Sequence, residues 1–130
     1  MREVKIPSDS MLNKLIRVEQ WDDVDPKTGA CSKYMVYIFQ NNRWNEHAKL
    51  TFHKGPLVQT DPLVPVQPVS GLSIEALLTI CIDRLRGFQS KDFACRENAL
   101  AITHLEDAIH WLEHRARERR DRGVEGQQVK

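Results

Sequence analysis

Gly87-Phe88-Gln89-Ser90-Lys91-Asp92-Phe93-Ala94-Cys95-Arg96-Glu97-Asn98-Ala99-Leu100 is the stretch that decides how this chain folds. Apolar residues recur at helical spacing from residue 74 up to it, and again beyond it to residue 122. That period is the mark of an amphipathic helix on each side. A short break between two such helices lets the second fold back on the first as a hairpin. The break holds two aromatics, a Lys-Asp pair and an amide, which is more chemistry than a turn requires.

Working outward, Gly71-Leu72-Ser73 opens the first helix. Ser73 suits the N-cap, and Glu75 sits well in the first turn beside the helix dipole. Ile74, Leu77, Leu78, Cys81, Leu85 and Phe88 form one stripe, with Gly87 as the expected stop. Past the break, Asp92 is the expected cap of the second helix. Asn98, Ala101, Ile102, Leu105, Ala108, Ile109 and Leu112 share its inner face. At 1.5 Å per residue the first helix spans about 20 Å and the second about 45 Å. The second therefore overhangs, and its far half carries Trp111 off the inner stripe. A second subunit covering that helix explains the overhang, so a homo-oligomer is expected.

Before the helices, strands are expected. Residues 1–10 read as a frayed end or a short edge strand. Residues 15–21 are β-rich and alternate in part. Residues 34–40 carry the strongest strand signal, and 47–53 supply a third run. Asp22 to Gly29 is a turn cluster around Pro26, and Asn41-Asn42 suits a tight hairpin turn. Three strands with short turns make an antiparallel meander with an apolar face that needs a partner layer. Pro56, Pro62, Pro65 and Pro68 then favour an extended connector with at most one edge strand. The expected organisation is α+β: a small N-terminal antiparallel β-meander over 1–55, a proline-rich connector over 56–70, and a helical hairpin with a long second helix over 71–126.

Bulk properties narrow the classes. The 130 residues are 41% hydrophobic and 28% charged, within the range of a soluble globular chain. A formal net charge of +1 argues against a protein built to coat nucleic acid. Cys31, Cys81 and Cys95 form no CxxC pair and read as free thiols of a cytoplasmic protein. No apolar run reaches the length of a membrane span, and the charged N-terminus has no signal-peptide core.

His110-Trp111-Leu112-Glu113-His114 matches the HxxEH pattern of inverted zinc peptidases. Both imidazoles share a helical face, but that face lies opposite the Leu105 and Leu112 stripe, so two surface histidines are expected rather than a metal site. Arg115, Arg117, Arg119, Arg120 and Arg122 stand among Glu113, Glu118 and Asp121. They read either as a solvated helix end with local ion pairs or as a phosphate clamp. Asn98 is an amide on an inner face and needs partners; it caps a local backbone group or reads the edge of a ligand. No phosphate loop, nucleophile elbow or catalytic acid pair is present, so no enzyme activity and no cofactor are expected.

Three blocks carry a resemblance: residues 82–90 (Ile82 to Ser90), 93–103 (Phe93 to Thr103), and 111–126 (Trp111 to Gly126). Together they resemble the helical-hairpin module of phage immune-evasion sponges, the anti-CBASS and anti-Thoeris type. The likeness covers roughly residues 70–127. The β-rich part ahead of the hairpin is similar to the anti-Thoeris branch, since the minimal anti-CBASS branch is mostly hairpin. The resemblance implies a non-catalytic protein that sequesters cyclic oligonucleotides or cyclic ADP-ribose isomers inside the infected cell. It implies assemblies from dimer to hexamer with ligands between subunits. It also implies Phe88, Arg96 and Asn98 as contacts for a base and its phosphates, and Arg115 and Arg122 as a second, phosphate-rich site. The alternative from another class is a nucleic-acid-binding or assembly protein that uses the arginine end, with strong salt dependence.

Overall fold

The computed structural model describes residues 2–58, 62–63 and 68–127. Its elements run β1 (Arg2–Val4), a 3-10 turn (Asn13–Leu15), β2 (Ile16–Gln20), β3 (Lys33–Gln40), β4 (Arg43–Thr51), α1 (Ile74–Gln89) and α2 (Arg96–Asp121). This is the α+β arrangement expected, a four-stranded antiparallel sheet followed by a helical hairpin. Contacts divide the chain into a sheet unit, Met1–Lys54 with Val69–Leu72, and a helical unit, Gly55–Pro68 with Ser73–Lys130. No helix is long and apolar enough among the described residues to cross a membrane.

The sheet is a simple meander in the order β1-β2-β3-β4. The edge strand that residues 1–10 allowed is present: Val4 pairs with Val18. Ile16, Val18, Val36 and Ile38 are matched across β2 and β3, so their side chains share one face. Asn41 and Asn42 both take positive φ, 57° and 61°. That is the geometry a two-residue hairpin turn asks for, and asparagine tolerates it without glycine. Register then slips between Val36 and Tyr37, whose partners are Ala48 and Glu46. His47 is the extra residue of this bulge, which the alternation in the sequence does not mark.

Asp22 closes the β2–β3 connection. Its carboxylate accepts the backbone N–H groups of Ser32 at 3.0 Å and Lys33 at 3.0 Å. The chain comes back to this sheet after the connector. Leu72 bridges Phe52 in parallel, with Leu72 N–H donating to the Thr51 carbonyl. Gly71 is needed there, because a Cβ would fall on the Thr51 carbonyl and press against Phe52. The connector expected over 56–70 falls partly on residues 59–61 and 64–67, including Pro65, outside the described residues.

The helical unit follows the sequence with three corrections. Ser73 caps α1 as expected, its hydroxyl accepting from Ala76 N–H at 3.0 Å. Gly87 is not the stop. Helix α1 continues to Gln89, and Ser90 N–H folds back to the Gly87 carbonyl. The face also turns relative to the expected stripe. Ile82 is the buried residue of α1, while Ile74, Cys81 and Phe88 are exposed. In α2 all seven expected inner residues, from Asn98 to Leu112, are half-buried. Its N-cap is Cys95, not Asp92, and no side chain caps it from within.

The second helix is longer, 26 residues against 16. Arg86 pairs with Glu106, and Thr79, Ile82 and Asp83 share a groove with Ile109, His110 and Glu113.

Helix α2 ends in a Schellman turn. Val124 N–H donates to the Arg119 carbonyl and Gly123 N–H to the Arg120 carbonyl, with Gly123 at φ +72°. The following Gly126 carbonyl accepts from both Leu57 and Val58 N–H, at 2.6 and 2.9 Å. The end of the helix thereby holds the start of the connector.

Candidate functional site

The corner between the helices is built by one side chain. Gln89 ends α1, and its amide donates to the Cys95 carbonyl at 2.9 Å while its Oε1 accepts Cys95 N–H at 2.8 Å. A primary amide can do both at once, as a backbone group would. Five residues lie between the two partners, closed further by Ala94 N–H on the Lys91 carbonyl at 3.2 Å. Ser90 Oγ also donates to the Gly87 carbonyl, at 2.6 Å.

The clamp has the candidate residues as its immediate neighbours. Phe88 precedes Gln89 and is 39% exposed, with the Arg84 guanidinium 5.1 Å from its ring centroid. Arg96 follows Cys95, is exposed, and makes no ion pair or hydrogen bond among the described residues. Asn98 lies two residues on, half-buried, and its amide likewise has no hydrogen bond among the described residues. Phe93 stands out from the loop at 77% exposure. An aromatic face, two guanidinium groups and an unspent amide can together accept a planar base and its phosphates.

The arginine end sorts into occupied and free cations. Arg119 donates to the Val124 carbonyl at 3.1 Å and also to the Gln127 carbonyl, so it is a buttress for the terminal turn. Arg120 bonds Glu113 at 3.0 Å and lies 3.8 Å from Glu125. The Glu113 hydrogen bond, opposed by burial and aided by the nearby acids, holds the Arg120 guanidinium above its ordinary range. Arg122 reaches Glu118 at 3.6 Å, a loose exposed pair of small energetic weight. Arg115 and Arg117 are exposed without such partners among the described residues. Local ion pairing thus takes Arg120 and Arg122, while Arg115 keeps its guanidinium open among the described residues.

Residues 57–117 match the family model of the Acb2/Tad1 hairpin domain. This chain carries the Acb2/Tad1 hairpin. A relative, Thoeris anti-defense 1 of Bacillus phage SBSphiJ7, is 43% identical over 79 residues, which is 61% of this chain and 51% of the relative. The chain thus matches about half the length of that curated relative. Both comparisons agree with the family drawn from the three sequence blocks, and the Acb2/Tad1 hairpin covers the corner with all of Phe88, Arg96, Asn98 and Arg115, but stops short of Arg122.

Within the hairpin, His110 and His114 are exposed and flank Trp111, each ring centroid 5.7 Å from the indole. Among the described residues no group of three or more His, Cys, Asp or Glu gathers to hold a metal. Three features escape a reading of the sequence: the Gln89 clamp, Arg84 over Phe88, and the tie of Arg119 to the terminal turn. Arg84 and Phe88 are four apart on a helix, so that pair had a signal. The other two cross irregular backbone, where no period exists to read.

Proposed function

We propose that this chain is a phage anti-defence protein that binds a nucleotide immune messenger and holds it without chemical change. The observation that carries the reading is the corner: an exposed Phe88 with a cation over it, a free Arg96 and an uncommitted Asn98 amide, inside an Acb2/Tad1 hairpin. The anti-defence name of the 43% identical relative supports the biological setting. In this reading Phe88 stacks on a base, Asn98 bonds its edge, and Arg96 pairs with phosphate. Arg115 and Arg122 form a second, phosphate-rich site. The ligands are cyclic oligonucleotides or cyclic ADP-ribose isomers, sites form between subunits of a dimer or larger homo-oligomer up to a hexamer, and the protein acts in the cytoplasm of the infected cell.

Binding to a nucleic-acid polymer through the arginine end is the weaker reading. Arg119 and Arg120 are committed to partners within the chain, and each cation so used is one fewer for a phosphate backbone.

Mass spectrometry decides the main reading. The protein is incubated with cyclic di- and trinucleotides and cyclic ADP-ribose isomers, separated from free ligand, and heated. Release of one intact ligand in stoichiometric amount is expected. Release of a linear or cleaved product, or of nothing, overturns it.

A further inference from the structure

Asn98 is the third residue of α2, counted from Arg96 after the Cys95 N-cap. In a capping box that third position is the one whose side chain turns back to bond the N–H of the N-cap residue. Here the Cys95 N–H is already taken, by Gln89 Oε1 at 2.8 Å from the preceding helix. The same amide occupies the Cys95 carbonyl, which also accepts Ala99 N–H at 3.2 Å. The local duty that Asn98 could serve has thus been given to another residue, and its own amide is left with no hydrogen bond among the described residues.

We propose that Gln89 is the positioning residue of the corner site, an inference that rests on the nucleotide-binding reading above. It acts in two linked ways. Its two hydrogen bonds join the backbone next to Phe88 to the backbone next to Arg96, so the aromatic and the cation keep a fixed relation although the loop 90–94 between them is exposed. By occupying the Cys95 N–H it also keeps Asn98 from folding back as a cap and holds that amide ready for a ligand. A side chain fixed before binding need not be ordered at the moment of binding, which is the usual source of affinity from preorganisation. When Gln89 is removed, the Cys95 N–H becomes an orphan of the helix start, and Asn98 is the nearest side chain in sequence placed to satisfy it. Gln89 touches no ligand in this account; its effect passes through Asn98.

The test is a double-mutant cycle on the full chain, with Gln89→Ala, Asn98→Ala and the pair. Binding is titrated calorimetrically with a cyclic ADP-ribose isomer, cyclic diadenylate and cyclic triadenylate. Each single change is expected to weaken the probe held at the corner by about tenfold or more, roughly 1.4 kcal/mol per decade. The pair should be no more than about twofold weaker than the worse single variant, because both remove the same contact. Amide exchange at Cys95 without ligand gives the independent readout: it should be faster in the pair than in wild type, and less so in Gln89→Ala, where Asn98 takes over. Wild-type affinity in Gln89→Ala, or losses that multiply in the pair, overturn the positioning role alone. A wild-type chain that binds none of the probes overturns the nucleotide reading and the positioning role together, while Cys95 exchange still reports whether the clamp exists.

Discussion

Asn98 shows how much one side chain's freedom depends on its neighbours. From the sequence it is an amide on an inner helical face with two possible employments, capping or ligand reading. In the structure its face is half-buried as expected, and the capping duty belongs to Gln89. Replacement by alanine, the best helix former, should leave the fold intact. Asn98→Ala is therefore expected to lower ligand affinity about tenfold and to shift the melting temperature little. Titration and thermal melts on the same sample check this. A drop in melting temperature with unchanged affinity would make the amide structural. Phe88 teaches the complementary lesson. Its spacing put it in the inner stripe, but Ile82 takes the buried place and α1 turns Phe88 outward. Six apolar positions on a short helix define a broad face, and only the partner helix decides its centre.

The elements were legible where a period runs and illegible where a single through-space contact decides. Helix α2 shows both. Its inner face from Asn98 to Leu112 was readable, while its start at Arg96 followed from the clamp of Gln89 on Cys95, six residues apart across a loop. Strands β2 to β4 were readable within a few residues, but not the bulge at His47. Two predictions belong to this scale. Gly87 is a helical residue, and a Cβ there meets nothing within 4 Å. Gly87→Ala should stabilise the chain by about 0.5–1 kcal/mol, read as a higher denaturant midpoint at unchanged slope. The second concerns Asp22, which ties β2 to β3. Burial raises its carboxyl pKa, but the Lys33 and Ser32 N–H groups, with Lys54 and Lys33 nearby, outweigh burial and leave it below the usual value. A carboxyl depressed on folding stabilises at every pH above its unfolded value, and that contribution fades as pH falls through the folded one. Asp22→Asn should therefore lose about 1–2 kcal/mol at neutral pH. The gap from wild type should close below about pH 4. Denaturant melts at both pH values check it, and a gap that widens in acid would refute the assignment.

For the whole molecule, the question is what covers its apolar surface. Met35 and Ile82 are the buried apolar side chains among the described residues. Ile80, Phe93 and Trp111 are exposed at 65%, 77% and 65%. A chain of this length ordinarily buries well over half of its unfolded surface, and so small an interior leaves little to offset the entropy of ordering it. Large exposed apolar groups on both helices and on the loop between them are a motive for association. The motive for a homo-oligomer thus no longer rests on the unequal helix lengths alone. The corner carries the exposed Phe93 and Leu100 and is itself a candidate surface for a second copy. Copies of the same chain that meet there would close the site around its ligand. The expected mass in solution is more than twice 15.1 kDa at micromolar concentration. Phe93→Lys and Trp111→Lys test separate parts of the surface. Each should lower the mass measured by light scattering, since a buried charge without a partner is costly at an interface. A wild-type chain that scatters as a monomer of 15.1 kDa would refute the assembly. A smaller assembly in Trp111→Lys alone would move the interface away from the corner and onto the middle of α2.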